Sequence, residues 1–252
     1  MTEWYEILIY LGTEKMNMNS WKNLPVLVLF ALFVNSALAK NIADSVSQTE
    51  KVVAFNSLKI NGNFNVVLTE GKTSSLKIVA PDKDAMSSVV IKSAVILNVS
   101  MKDGAKEAVT LYITVKDIQQ ISVNIDGTLS CTNTIDEDNL TLNVDGNATV
   151  NLALDLKMLT CNLNSGKSIV LKGKAKSCIF KDSGEGNVDA SELKTDNMTL
   201  EDHSDGDLKV YAHPELHAKV SGSGKLTYYG NPRTKTFRIE GAASEQQVIE
   251  NK

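Results

Sequence analysis

Val220-Ser221-Gly222-Ser223-Gly224-Lys225 is the fullest of a series of related corners in the sequence. Shorter versions precede it at intervals of about 20 residues: Asp126-Gly127, Asp145-Gly146, Ser165-Gly166, Ser183-Gly184-Glu185-Gly186 and Ser204-Asp205-Gly206. A fixed period of this length signals one supersecondary unit stacked on copies of itself, each burying its apolar face against its neighbours. Counted from Ile121, Leu140, Leu159, Cys178, Met198 and Leu216, the units run 19, 19, 19, 20 and 18 residues. Ten residues into them stand Cys131, Val150, Ile169, Val188, Leu208 and Leu226, an unbroken apolar column. Two residues further on, Asn133, Leu152, Leu171, Ala190, Val210 and Tyr228 are apolar in all but the first.

Each unit is therefore a strand, a glycine corner, a second strand and a polar turn such as Asp136-Glu137-Asp138-Asn139. Equivalent positions form columns of one residue type, which parallel in-register stacking produces and an antiparallel meander does not. Asn124, Asn143 and Asn162 add an outward amide ladder. The glycines fit corners that turn sharply, many with φ > 0. The pattern predicts an all-β fold, a right-handed parallel β-helix or solenoid with repeats of about 19–20 residues. A β-sandwich is the rival topology. An N-terminal β-sheet layer comes first: Leu58, Ile60, Phe64, Val66 and Leu68 alternate, as do Leu76, Ile78 and Ala80, then Val95 to Met101 and Val109 to Val115. Asp84 to Val90 reads as a single helical turn.

Around this core the expected organisation is a leader and signal peptide over 1–39, with Lys15 and Lys22 before the apolar run Leu24 to Leu38 and cleavage at Ala39/Lys40. Met1, Met16 and Met18 are the candidate starts. A transmembrane anchor is the competing reading, but the run is short and carries Asn35. Residues 40–51 read as a flexible lead-in, 52–118 as opening strands, 119–243 as solenoid repeats and 244–252 as a tail.

The full chain of 252 residues has a net charge of −4. Cleavage removes two of 26 basic and three of 30 acidic residues, leaving −3 on 213 residues with no membrane span. With Arg233 and Arg238 the only arginines and no basic tract, nucleic acid is not the expected partner. Cys131, Cys161 and Cys178 fall in core columns. Cys161 and Cys178 are two residues out of register, so buried free thiols are expected instead of a disulfide.

Ser221-Gly222-Ser223-Gly224, followed by Gly230-Asn231-Pro232, resembles the head GIN domain family of exported bacterial proteins, described as autotransporter adhesin heads. The resemblance spans roughly residues 52 to 243 and includes Phe55 with Leu58-Lys59-Ile60-Asn61-Gly62, Leu97-Asn98-Val99, Val109–Val115 and the repeats. It implies an all-β fold with a β-helical part and an adhesive role at the surface or envelope. It implies no enzymatic activity and supplies no functional residues to transfer. In the middle repeats Asp-Gly or Ser-Asp-Gly replaces the full motif.

Three sets of residues carry candidate chemistry. Lys209, Tyr211 and Tyr229 fall on one outward face, a cation beside stacked rings that suits a saccharide or peptide. Asp202, Asp205 and Asp207 are the weak candidates for a hard-cation site, although no ligand column repeats and the spacing is not that of an EF-hand. Asp182, Glu185, Asp205 and Asp207 are the acidic groups available to a polysaccharide lyase or hydrolase. His213 and His217 are four apart, but Pro214 opposes a helix there, and no histidine is expected near a nucleophile. The resulting expectation is a non-enzymatic, cofactor-free binding protein of the periplasm, outer surface or secreted fraction. Its partners would be surface glycans or envelope and matrix proteins, with homo-oligomerisation through end units as a further reading.

Overall fold

The computed structural model describes residues 45–241 and 248–251. The leader, signal peptide, cleavage junction and candidate starts expected over 1–39 lie outside the described residues. Within them the only regular element besides strands is one short helix, α1 (Lys83–Ser87), where the Asp82 carboxylate accepts Ala85 N at 2.7 Å as an N-cap. Among the described residues no helix is long and apolar enough to cross a membrane.

The solenoid is a parallel stack. Four long strands, β10 (Ile135–Gly146), β11 (Thr149–Ser165), β12 (Ile169–Asp182) and β13 (Val188–Asp202), lie side by side with Leu140, Leu159, Cys178 and Met198 in one column. The stack continues through β14 (Leu208–Tyr211), β15 (Glu215–Val220), β16 (Leu226–Tyr229), β17 (Thr234–Ile239) and β18 (Val248–Glu250). The long strands bend where they turn a corner. In β11, Leu156 and Leu159 both face inward while Lys157 and Met158 between them are exposed, so the alternation resets phase at a corner. The inward columns are fully buried aliphatic rows, each side chain contributing roughly 1.5–3 kcal/mol of burial.

The opening strands belong to the same stack. β2 (Ser57–Gly62) and β3 (Phe64–Glu70) pair in parallel with β8 (Gln120–Ile125) and β9 (Thr128–Cys131) on one side. On the other side they pair with β6 (Ile96–Met101) and β7 (Val109–Val115). The chain thus lays down the β2/β3 rung, places β6/β7 on its outer side, and returns across it to β8/β9. Three antiparallel strands close this end: β4 (Ser75–Ala80) on β7, β5 (Val89–Ser93) on β6, and β1 (Val46–Glu50) on β4. The lead-in expected to be flexible therefore supplies an edge-covering strand over 46–50. Residues 248–250 of the expected tail likewise form β18, because Val248 completes the column of Leu226.

At the far end the inward columns change character. Lys235 stacks on Leu216 and Glu250 on Tyr228, and the two meet at 3.0 Å.

The first repeat is 21 residues long, not 19: Ile121 pairs with Leu142 and Leu129 with Val150. By Ile135, which pairs with Leu154, the offset has returned to 19. The two extra residues lie at Thr132–Thr134, where Asn133 leaves the column and its amide brackets the Glu70 backbone, accepting from Glu70 N at 2.8 Å and donating to Glu70 O at 3.0 Å. Cys131 consequently sits opposite Leu68, half-buried, and Asn124 pairs with Asp145 outside the amide ladder. The ladder instead runs from Ser122 to Asn143 (2.9 Å) to Asn162 (2.8 Å).

Close approach, not positive φ, explains the glycines of the later corners. A Cβ on Gly184 would lie 2.5 Å from Ser165 O, on Gly222 1.8 Å from Ser204 O, and on Gly224 1.9 Å from Gly206 O. Gly222→Ala is expected to destabilise the chain by about 3 kcal/mol through this overlap with backbone. Gly104→Ala, at φ +83° in open space, should cost only about 1 kcal/mol. Urea midpoints that rank the two alike would refute the close-approach account.

All three cysteines are free. Cys161 and Cys178 are buried two residues out of register on adjacent coils, and burial pushes the Cys161 thiol well up. Thiol titration without reductant should find one slowly accessible group in the native chain and three after unfolding; fewer than three would reveal a disulfide.

Candidate functional site

The outer surface of the first-strand sheet carries two polar columns side by side. Asn143, Asn162, Lys181 and Glu201 form one, continuing to Lys219 and Arg238. Asp145, Asn164, Ser183 and His203 form the other as the strands enter the glycine corner. Together they line a cleft of about 470 Å³ with Leu163 and Asp182 at its floor. This polarity follows from strand alternation, since every residue between two core positions must face water.

Beyond the cleft the surface is held by charge. Lys219 lies 3.7 Å from Glu201 and 3.5 Å from Glu240, and Arg238 is bonded to Glu240. His203 joins two coils, with Nδ1 hydrogen-bonded to the Ser221 hydroxyl and Nε2 3.3 Å from the Glu201 carboxylate. The His203 contact lowers the Glu201 pKa, and the Arg238 contact lowers that of Glu240. The histidine expected to lie far from any nucleophile thus touches Ser221, because stacking brings residues 18 apart to neighbouring positions. The contact lies on an open sheet surface, where water screens the electrostatic terms that a hydrolytic site needs. Its evident effect is to clamp one corner to the next.

The acidic residues do not converge on a common surface site. Asp202 faces the core, whereas Asp205 is exposed and accepts from Ser223 Oγ, and Asp207 accepts from Lys225 N at 3.1 Å. Among the described residues no three His, Cys, Asp or Glu side chains gather as metal ligands. Asp182 is likewise inward while Glu185 is exposed, so these carboxylates do not face each other across a groove. His213 precedes β15, where its Nδ1 lies 3.2 Å from Asn231 O, and His217 is exposed within that strand. The two share no helical face.

Tyr211 and Tyr229 are register partners on adjacent coils. The Lys194 ammonium sits 3.8 Å from the centroid of the Tyr211 ring, a cation–π contact. Lys209 lies 3.3 Å from Asp189, whose second contact set is Ser191 N (3.1 Å) and Ser191 Oγ (2.6 Å). Partial burial pushes the Asp189 carboxyl up, but the Ser191 and Lys209 contacts outweigh it and hold the pKa down. Lys194 reaches Tyr211 from the preceding coil, a pairing that a count of equivalent positions does not give.

Several solved structures share this architecture. One described as a putative adhesin from Bacteroides fragilis matches with a TM-score of 0.75 at 21% identity, over 84% of this chain and 99% of that one. One described as a putative lipid binding protein from Parabacteroides distasonis matches at 0.65 and 17%, over 84% and 98%. A putative adhesin from the same species matches at 0.60 and 20%, over 83% and 98%. At these identities the likeness establishes the fold. No curated protein matches the chain significantly. The sequence pattern of one family covers residues 54–232, and the chain accordingly belongs to the family described as "Putative auto-transporter adhesin, head GIN domain".

Proposed function

We propose that this protein is an exported, adhesin-type binding head that engages an extended partner, a surface glycan or an envelope or matrix protein, along the outer face of its solenoid. The observation that carries the proposal is the pair of in-register polar columns beside the cleft, from Asn143 to Glu201 and from Asp145 to His203. Amides, carboxylates and an ammonium repeat at the coil spacing of about 4.8 Å. Such a row offers a linear polymer a polar partner at every rung, and weak contacts then add as avidity. Family membership supports a surface role of this type. The function is contact on a rigid rod without chemistry. The edge formed by Lys209, Tyr211 and Tyr229 is a second patch of the same head, suited to an aromatic stacking contact.

A glycan and matrix-protein array probed with the purified chain tests this. Binding is expected, and Asn162→Ala with Lys181→Ala should weaken it at least tenfold, about 1.4 kcal/mol. Binding that ignores this pair but falls with Tyr211→Ala and Tyr229→Ala would move the contact to the tyrosine edge. A silent array would overturn the proposal.

A further inference from the structure

Asp182 ends β12 and Asp202 ends β13, and the two are register partners on adjacent coils. Their column is otherwise aliphatic, with Val144 and Leu163 before them and Val220 and Ile239 after. Asp182 is 2% exposed and Asp202 1%. One oxygen of each is used by the corner that follows. Asp182 Oδ1 accepts from Gly184 N at 3.1 Å, and Asp202 Oδ1 accepts from Ser204 N at 2.9 Å and Ser204 Oγ at 2.6 Å. The other oxygen of each, Oδ2, is buried with no hydrogen-bond partner.

Two ionised carboxylates stacked in an apolar column, each with an orphaned oxygen, combine desolvation with like-charge repulsion. Neighbouring groups relieve this only in part: Ser183 N and the Ser204 hydroxyl favour the ionised Asp182 and His203 favours the ionised Asp202, but burial outweighs them and both acids stay raised. From β11 the facing titratable group is the Cys161 thiol, itself held neutral by burial, and from β15 the facing residue is Val220. His203 adjoins Asp202 but directs its nitrogens outward to Ser221 and Glu201, and Lys181 and Lys219 lie on the outer face. A single proton on the pair relieves both penalties, since it removes one of the two like charges and turns an orphaned acceptor into a donor.

We propose that Asp182 and Asp202 hold a single shared proton at mildly acidic pH, making this corner a proton-operated latch beneath the cleft, firm when the pair is protonated and loosened when both acids ionise. Burial pushes Asp182 up to about 6 and raises Asp202 in the same direction. Above roughly pH 4 the unfolded chain has released these protons. The folded pair keeps one until about pH 6, so stability is greatest at the acid side of this window and falls as pH rises through it. Asp189, Glu201 and Glu240 shift the opposite way, so their contributions are lost only as pH drops below the window. Glu137, raised chiefly by burial, has the same sign as the pair and needs its own control.

The test is urea unfolding of the purified chain from about pH 4.5 to 7.5. The wild-type folding equilibrium constant should fall by up to about tenfold per pH unit below pH 6 and then level off. Asp182→Asn, whose amide donates to Asp202 Oδ2 at every pH, should remove that slope and at least match the wild type at about pH 7.5; Asp202→Asn should do the same from the other side. Glu137→Gln should keep the slope. A wild-type profile that is flat or rises with pH, or slopes retained in both asparagine variants, would overturn the latch. So would calcium restoring stability at neutral pH in the wild type but not in Asp182→Asn, since a cation would then be the native occupant. If neither variant folds, infrared spectroscopy of the wild type at about pH 6 decides, with a protonated-carboxyl band in support and its absence against.

Discussion

Neighbouring coils must approach to the roughly 4.8 Å of a β-ladder around their whole perimeter, corners included. Along the strands this is easily met, because side chains point inward or outward and only backbone lies between rungs. At the corners the chain turns and a side chain would point along the stack axis. There the structure places Gly184, Gly222 and Gly224 directly against carbonyl oxygens of the coil beneath, at distances that leave no room for a Cβ. The columns of aliphatic side chains, the amide ladder and the outer polar rows all presuppose this spacing.

The same constraint decides what the surface can do. Since each rung repeats the last, outward residues align into rows that a linear partner meets at a constant interval. A cleft forms where two such rows enter the corner. Charges along the rows neutralise one another between coils, Lys219 lying between Glu201 and Glu240. Exposed pairs of this kind contribute little stability individually. They do keep the face hydrated and the strands in register. Lys235 and Glu250, in register with Leu216 and Tyr228, form a partly exposed pair on the final described coil.

Asp182 and Asp202 put carboxyls into an otherwise aliphatic column. Their first oxygens do the work of the corner by accepting backbone N–H groups, as Asx turns do. An aliphatic residue would fill the column but leave those donors unsatisfied. The corner therefore gains a hydrogen bond and the core receives a carboxyl, and proton uptake reconciles the two requirements.

The period of the glycine corners and the alternation between them were enough to specify an all-β parallel stack, because stacking imposes the same residue type at each rung and so writes itself into the sequence as columns. The stagger of Cys161 and Cys178 followed from the same register, and the single helical turn from the strand break at Pro81. Three things were decided only in three dimensions. The first repeat absorbs two extra residues at Thr132–Thr134, where Asn133 serves the end of β3 some sixty residues earlier, and a local count cannot see so distant a partner. The β6/β7 rung lies outside β2/β3, an order that chain sequence alone would reverse. The contacts of His203 with Ser221, Lys194 with Tyr211 and Asp182 with Asp202 join residues about 20 apart. Their chemistry depends on which side chains the coil spacing brings within a few ångströms, and that is set by bulges and corners whose lengths the sequence pattern averages away.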